Sequence, residues 1–191
     1  MDSQKTPFPG SKMRGSDEAI AISGLSGSGK NTVGRIVAKT LGWQAVEPTF
    51  KDLAKSEGIS LQEFQKKAMQ DFEIDLKFDD ELREQCKGGK VVVTTWLGPW
   101  MVQGNPFRVW LDVSLDVRAK RVAGREKQNA GDALTSISRR DSENKERYLK
   151  VYGINILEHE GFDLILDANL ESAQELAKKI IDAYKKRKLK R

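Results

Sequence analysis

Gly24-Leu25-Ser26-Gly27-Ser28-Gly29-Lys30-Asn31-Thr32 is the stretch whose reading decides the fold. The short apolar run Ala19 to Ser23, AIAIS, precedes it. VGRIVAKTLG follows, with Val33, Ile36, Val37 and Leu41 at helical spacing and Gly42 placed to end the helix. A strand, a glycine-rich loop and a helix in that order make a cradle for phosphate. Gly24, Gly27 and Gly29 let backbone N–H groups turn inward without a Cβ in the way, with Ser28 between them. The helix start adds unpaired donors and partial positive charge. Lys30 is placed to reach the β- and γ-phosphates of a nucleotide as a mobile point charge.

Outward from the loop, apolar strands alternate with helical segments. WQAVEP reads as a second short strand, KVVVTT as a buried one after Gly88-Gly89, and FRVWLDV (107–113) and FDLILDA (162–168) as two more. Residues 49–88 read as helices, with a capping box at Ser60 and Glu63. Residues 114–152 read as charged helices interrupted near Asn129 to Asp132, and ESAQELAKKIIDAYKKRK as a terminal helix. This alternation predicts an α/β fold of three layers, a parallel sheet covered on both faces. We expect a disordered tail at 1–17, one domain over 18–184 and a basic tail at 185–191.

Composition narrows the chemistry. The 191 residues suffice for one domain, and Cys86 and His159 are the only cysteine and histidine. A disulfide framework, a cysteine-rich zinc site, a Ser-His-Asp triad and a multi-His metal centre are thereby disfavoured. No apolar run approaches the roughly 20 residues of a membrane span. The N-terminus has no apolar core of a signal peptide, so a reducing cytoplasm is the expected compartment. Residues 118–150 carry ten Lys or Arg against five Asp or Glu, within a net charge of +5. Such a cluster suits phosphates or a polyanion. The run KKRKLKR at 185–191 complements a helix dipole, and an RNA contact is the other reading.

Several ordered segments resemble a P-loop nucleoside monophosphate kinase, and more narrowly the archaeal-type cytidylate kinases. They are GLSGSGKNTVGRIVAKTLG, FKDLAKSEGISLQEF, EIDLKFDDEL, LGPWMV, VWLDVSLDVRAKRVAGRE and RRDSENKERYLKVYGINI. The resemblance implies ATP and Mg²⁺, helices at 49–88 that bind an acceptor, and a lid at about 124–140. GKNT is similar to the GKGT of adenylate kinases, which makes Thr32 the candidate for orienting Mg²⁺ or a phosphate, with the Asn31 amide beside it. By the same resemblance Arg121 stacks on the donor adenine and Arg125 clamps phosphates. Arg140 contacts the transferring phosphate, and Asn144 and Arg147 the acceptor nucleoside or its phosphate. Asp75 and Asp79 match an acidic pair, with Asp79 the candidate for reading a base or sugar. The residues also fit without the family. Phosphoryl transfer needs neutralising cations, in-line placement and exclusion of water, and no side-chain nucleophile. Residues 140, 144 and 147 fall on one helical stripe, as 121 and 125 do, although solvated basic faces have the same pattern.

The chain departs from that family on the acceptor side. An expected Phe-Arg pair is Phe50-Lys51, and the acid, small residue and arginine expected after the third strand are Thr94, Thr95 and Trp96. Lysine offers a point charge in place of a planar fork, and Trp96 offers only a surface for stacking or packing. Three outcomes stand open. A cytidylate-type kinase acting on CMP or dCMP could use Lys51, Arg140 and Arg147 instead. The acceptor could be a different one. Or the loop could serve a nucleotide-dependent assembly factor with an RNA or protein partner. A GTPase is disfavoured, because ENKER lies in a predicted helix rather than after a strand.

Overall fold

The computed structural model describes residues 18–190, so the expected tail at 1–17 lies outside the described residues. The chain runs β1 (Ala19–Ser23), α1 (Lys30–Leu41), β2 (Gln44–Val46), α2 (Phe50–Ser56), α3 (Leu61–Gln70) and α4 (Glu73–Cys86). It continues through β3 (Val91–Val93), α5 (Gly98–Met101), β4 (Phe107–Asp112), α6 (Leu115–Glu126), α7 (Ala130–Tyr152), β5 (Leu164–Asp167) and α8 (Ala173–Leu189). The five strands form one sheet in the order β2-β3-β1-β4-β5. Every pairing is parallel. Each expected strand is present, slightly shorter where flanking residues turn away. Helices α2, α3 and α4 all fall within the 49–88 span expected to be helical, α4 running Glu73–Cys86.

Alternation along β1 splits the core in two. Ile20 and Ile22 face α1 and α8, packing with Val33, Val37, Val109, Leu176 and Ile180. Ala19 and Ala21 face the other way, into a core with Leu82, Trp100, Met101, Tyr148 and Ile156. The small alanines leave room there for larger residues from α4, α5 and the end of α7. A third cluster, Ala119, Val122, Ala133 and Ile137, joins α6 to α7 away from the sheet. Those two helices thus hold each other through a small contact of their own.

Sequence-local signals set the ends. Gly42 closes α1 in the left-handed region at φ 66°, and Ser60 and Glu63 form the expected capping box of α3. The basic run at the C-terminus continues α8 as far as Leu189. Its cations are partly structural: Arg187 donates to the carbonyls of Asn105 and Pro106 and pairs with Asp163, and Lys188 pairs with Glu18. The loop after β1 and Thr94–Leu97 after β3 leave the sheet at the same, carboxyl-terminal edge, where open α/β sheets bind ligands. No helix of the described residues is long and apolar enough to cross a membrane.

Candidate active site

A cleft of about 540 Å³ opens at that edge, with the loop on one wall and α2, α3, α4 and α7 on the other. Gly27, Ser28, Gly29, Lys30, Asn31, Thr32, Lys51, Asp79, Trp96, Arg125, Arg140, Asn144 and Arg147 all line it. Two of the expected residues do not. Gly24 lies beneath the loop, where its carbonyl accepts from Lys30 Nζ at 3.0 Å. Arg121 lies on the loop's outer side, donating to the Ser28 carbonyl at 3.2 Å and to the Ala168 carbonyl at 2.7 Å.

The loop is held from outside by two side chains that sequence reasoning did not assign. Asp141 accepts from the Ser26 N–H at 3.1 Å and from Arg118 Nη1 at 2.6 Å. Arg118 Nη1 also donates to the Ser26 carbonyl at 2.9 Å, and its Nε to the Val113 carbonyl at 3.0 Å. One buried ion pair therefore grips both backbone polar groups of Ser26 and ties the loop to α6 and α7. Gly27 allows the approach: its φ is +81°, and a Cβ there would lie 2.8 Å from the Arg118 carbonyl oxygen. Asp141 sits within the quoted RRDSENKER, a segment of the family resemblance, which assigned it no role of its own.

Lys30 lies partly buried at the cleft end of the loop. Burial lowers its pKa to about 8; Asp141 acts against that, and Arg140, Arg118 and Arg125 reinforce it. Its ammonium rests 5.1 Å from the centre of the Trp96 ring. Trp96 thus faces the cleft beside Lys30, with its carbonyl held by Ser23 Oγ at 2.7 Å and its ring 6.2 Å from that of Tyr148. Arg125 stands at the rim, paired with Glu126 at 2.7 Å, and Lys51 is exposed on the first turn of α2. The Asn31 amide donates to Glu47 at 3.2 Å, and Thr32 lines the cleft as an exposed hydroxyl, alongside the buried hydroxyls of Ser26 and Ser28. Burial also lowers the pKa of Arg140, against Glu126 and Asp141.

On the opposite wall, Arg147 of α7 is buried at 1% exposure. Its Nε pairs with Asp75 Oδ1 at 3.1 Å, and its guanidinium lies 4.6 Å from the centre of the Phe50 ring. Arg147 Nη1, Asp75 Oδ2 and Asn144 Oδ1 are buried without hydrogen-bond partners. An unpaired buried polar atom is costly, so a cluster of three on one cleft marks a place built for a polar ligand. Asp79 accepts from the Tyr152 hydroxyl. Its pKa is pushed up to about 6 by burial, and the Tyr152 hydrogen bond pulls the other way. The folded state therefore holds this proton more tightly than the unfolded chain, whose aspartate titrates near 3.8. Its contribution to stability is present at low pH and lost as pH rises through about 6. We expect Asp79→Asn to flatten the fall of the melting temperature over that window. An identical pH profile for variant and wild type would show that Asp79 titrates normally.

A glycine-rich loop at the carboxyl edge of a parallel sheet, facing a basic cleft, defines the class as a P-loop kinase. Solved structures with the same fold include a gluconokinase from Sinorhizobium meliloti (TM-score 0.58, 19% identity, 91% of this chain and 94% of that one). A shikimate kinase from Acinetobacter baumannii is similar (TM-score 0.56, 16% identity, 90% and 95%). Within that class the chain belongs to the cytidylate kinase-like family, which residues 19–170 match. It is 41% identical over 152 residues to the cytidylate kinase of Pyrococcus abyssi, covering 78% of this chain and 84% of that one. The cytidylate kinase of Pyrobaculum aerophilum is 37% identical over 168 residues (85% and 90%). That of Sulfolobus acidocaldarius is 34% identical over 174 residues (89% and 96%).

Proposed function

We propose that the protein transfers the γ-phosphoryl group of ATP to CMP or dCMP. The observation that carries this is the pairing, across one cleft, of the phosphate loop with the buried unpartnered atoms of Arg147, Asp75 and Asn144. A phosphate oxygen of the acceptor attacks the γ-phosphorus, and the bond from that phosphorus to the β,γ-bridging oxygen breaks. The products are ADP and a nucleoside diphosphate. Lys30, Arg125 and Arg140 neutralise the charge on the group in transit, and the loop N–H groups hold the β-phosphate. Arg121, beside the loop, packs against the donor base. Asp79 and Asn144 read the acceptor, and Arg147 with Lys51 takes the part of the missing arginine fork. Closure of the lid at about 124–140 over the donor, together with the 49–88 helices, excludes water.

Mg²⁺ fits this site as a companion of ATP. Among the described residues no group of three or more His, Cys, Asp or Glu could hold a metal ion. Thr32 supplies a neutral oxygen on the cleft, which suits an ion bound mainly by phosphates and water. Such an ion would neutralise charge on the β- and γ-phosphates.

Family membership and a complete two-sided cleft favour transfer over the assembly-factor reading. The test is ADP formation from ATP and Mg²⁺ with CMP, dCMP, UMP, dTMP, AMP and GMP in turn. Acceptor-dependent ADP with CMP and dCMP is expected. ADP formation indifferent to all six, with ATP bound, would overturn the proposal.

A further inference from the structure

Thr94 directly follows β3, its N–H donating to the Val46 carbonyl at 3.0 Å. Its side chain is only 4% exposed and lines the cleft. The Oγ1 is buried and has no hydrogen-bond partner. The orientation of that hydroxyl is set from behind. A Cβ on Gly34 would lie 2.1 Å from Thr94 Cγ2, so the methyl group occupies the space that glycine leaves open on α1. A β-branched side chain has one stiff χ1, so seating the methyl against α1 also fixes the hydroxyl. Gly34 is four residues, one helical turn, beyond Lys30. Thr94 therefore meets the cleft beside the turn that carries Lys30 and Thr32.

Each carboxylate lining the cleft already has a protein partner, although Asp75 keeps one oxygen unpaired. Asp75 is paired with Arg147, Asp79 with Tyr152 and Glu126 with Arg125. What β3 presents beside Lys30 is a neutral group that can donate. Donation matters at this position. A carboxylate beside incoming phosphates is tolerated only with a cation between them, whereas a hydroxyl meets a phosphate oxygen directly.

We propose that Thr94 is a substrate-contacting residue of the transfer reaction, its Oγ1 donating a hydrogen bond to a non-bridging oxygen of the phosphoryl group in transit. This rests on the kinase reading above. It assigns a role to a position where that family usually carries an acid, and it gives the buried hydroxyl, which has no protein partner, a partner in the substrate.

The test uses two comparisons, each isolating the hydroxyl. Thr94→Val keeps the shape and the seated methyl. Thr94→Ala and Thr94→Ser both lose the methyl and differ only in the hydroxyl, so this pair serves even where the valine variant fails to fold. The expected result is kcat with CMP lowered about 10- to 100-fold in the valine variant, with smaller changes in the KM values and unchanged ATP binding by calorimetry. Serine is expected to exceed alanine by a similar factor. Thr94→Asp separates donation to phosphate from service to a cation. Loss of transfer supports the proposal, and transfer at or above the wild-type rate overturns it. Equal kcat for wild type and the valine variant, or for serine and alanine, also overturns it. A wild-type protein inactive with all six acceptors would defeat the kinase reading itself. A fully active Thr94→Val protein would defeat the Thr94 assignment alone.

Discussion

Lys30→Ala is expected to lower kcat for phosphoryl transfer by about 10²–10³-fold, the usual cost of removing one preorganised donor from a developing negative charge. The protein should lose little or no stability at the same time. Lys30 has the Gly24 carbonyl as its hydrogen-bond partner and the Trp96 ring beside it. Burial against the nearby arginines brings its pKa down from 10.5 to about 8. Between those values the unfolded chain holds the proton and the folded protein releases it, so stability rises with pH across that window. At neutral pH the charged lysine is therefore a net cost to the fold, and an uncharged variant is expected to melt no lower than wild type. Activity runs the opposite way. The ammonium is the working form, so kcat/KM should decline above about pH 8 as Lys30 loses its proton in the free enzyme. Lys30→Arg should abolish that alkaline limb, because a guanidinium stays charged, while remaining slow for want of the lysine's reach. A Lys30→Ala protein with wild-type kcat would remove the residue from the mechanism.

Asp141→Ala is expected to be the most damaging substitution for stability, about 3–5 kcal/mol in urea unfolding. The loss comes from what is left behind: a buried Arg118 without its counter-charge, and a Ser26 N–H without its acceptor. Removing Arg118 as well, with Met in its place, should cost less than the sum of the two single changes, because no isolated charge then remains. Simple additivity would show that the two side chains do not act as a pair. Asp141→Asn gives a second readout. Asp141 supports the charged form of Lys30, so its neutralisation should move the alkaline limb of kcat/KM to lower pH. An unmoved limb together with a lowered ATP affinity would confine Asp141 to gripping the loop.

The sheet, its parallel pairing and the phosphate loop were legible in the residues because each rests on local chemistry. Strand β1 announces itself by AIAIS before a glycine-rich turn, α1 by its apolar spacing and Gly42, and α3 by a capping box that the structure reproduces. The lining of the cleft by Lys51, Arg140, Asn144 and Arg147 was legible too, through helical spacing and the ordered segments shared with cytidylate kinases. The position of Arg121 behind the loop was not, since helical spacing places it on the same face as Arg125 without saying what that face meets.

What the sequence by itself determined is the class of this protein and the side chains available to its site. Tertiary structure alone decided which of them are buried together. Asp75 and Arg147, 72 residues apart, become a buried ion pair that leaves Asp75 Oδ2 and Arg147 Nη1 without hydrogen-bond partners. Asp141, 115 residues from Ser26, becomes the support of the loop. Thr94 becomes an oriented hydroxyl because a glycine on another helix leaves room for its methyl. An acid on a solvated face and an acid beneath a phosphate loop have the same local pattern. The difference between them is desolvation and the identity of the neighbour, and both come only from the packing of distant segments.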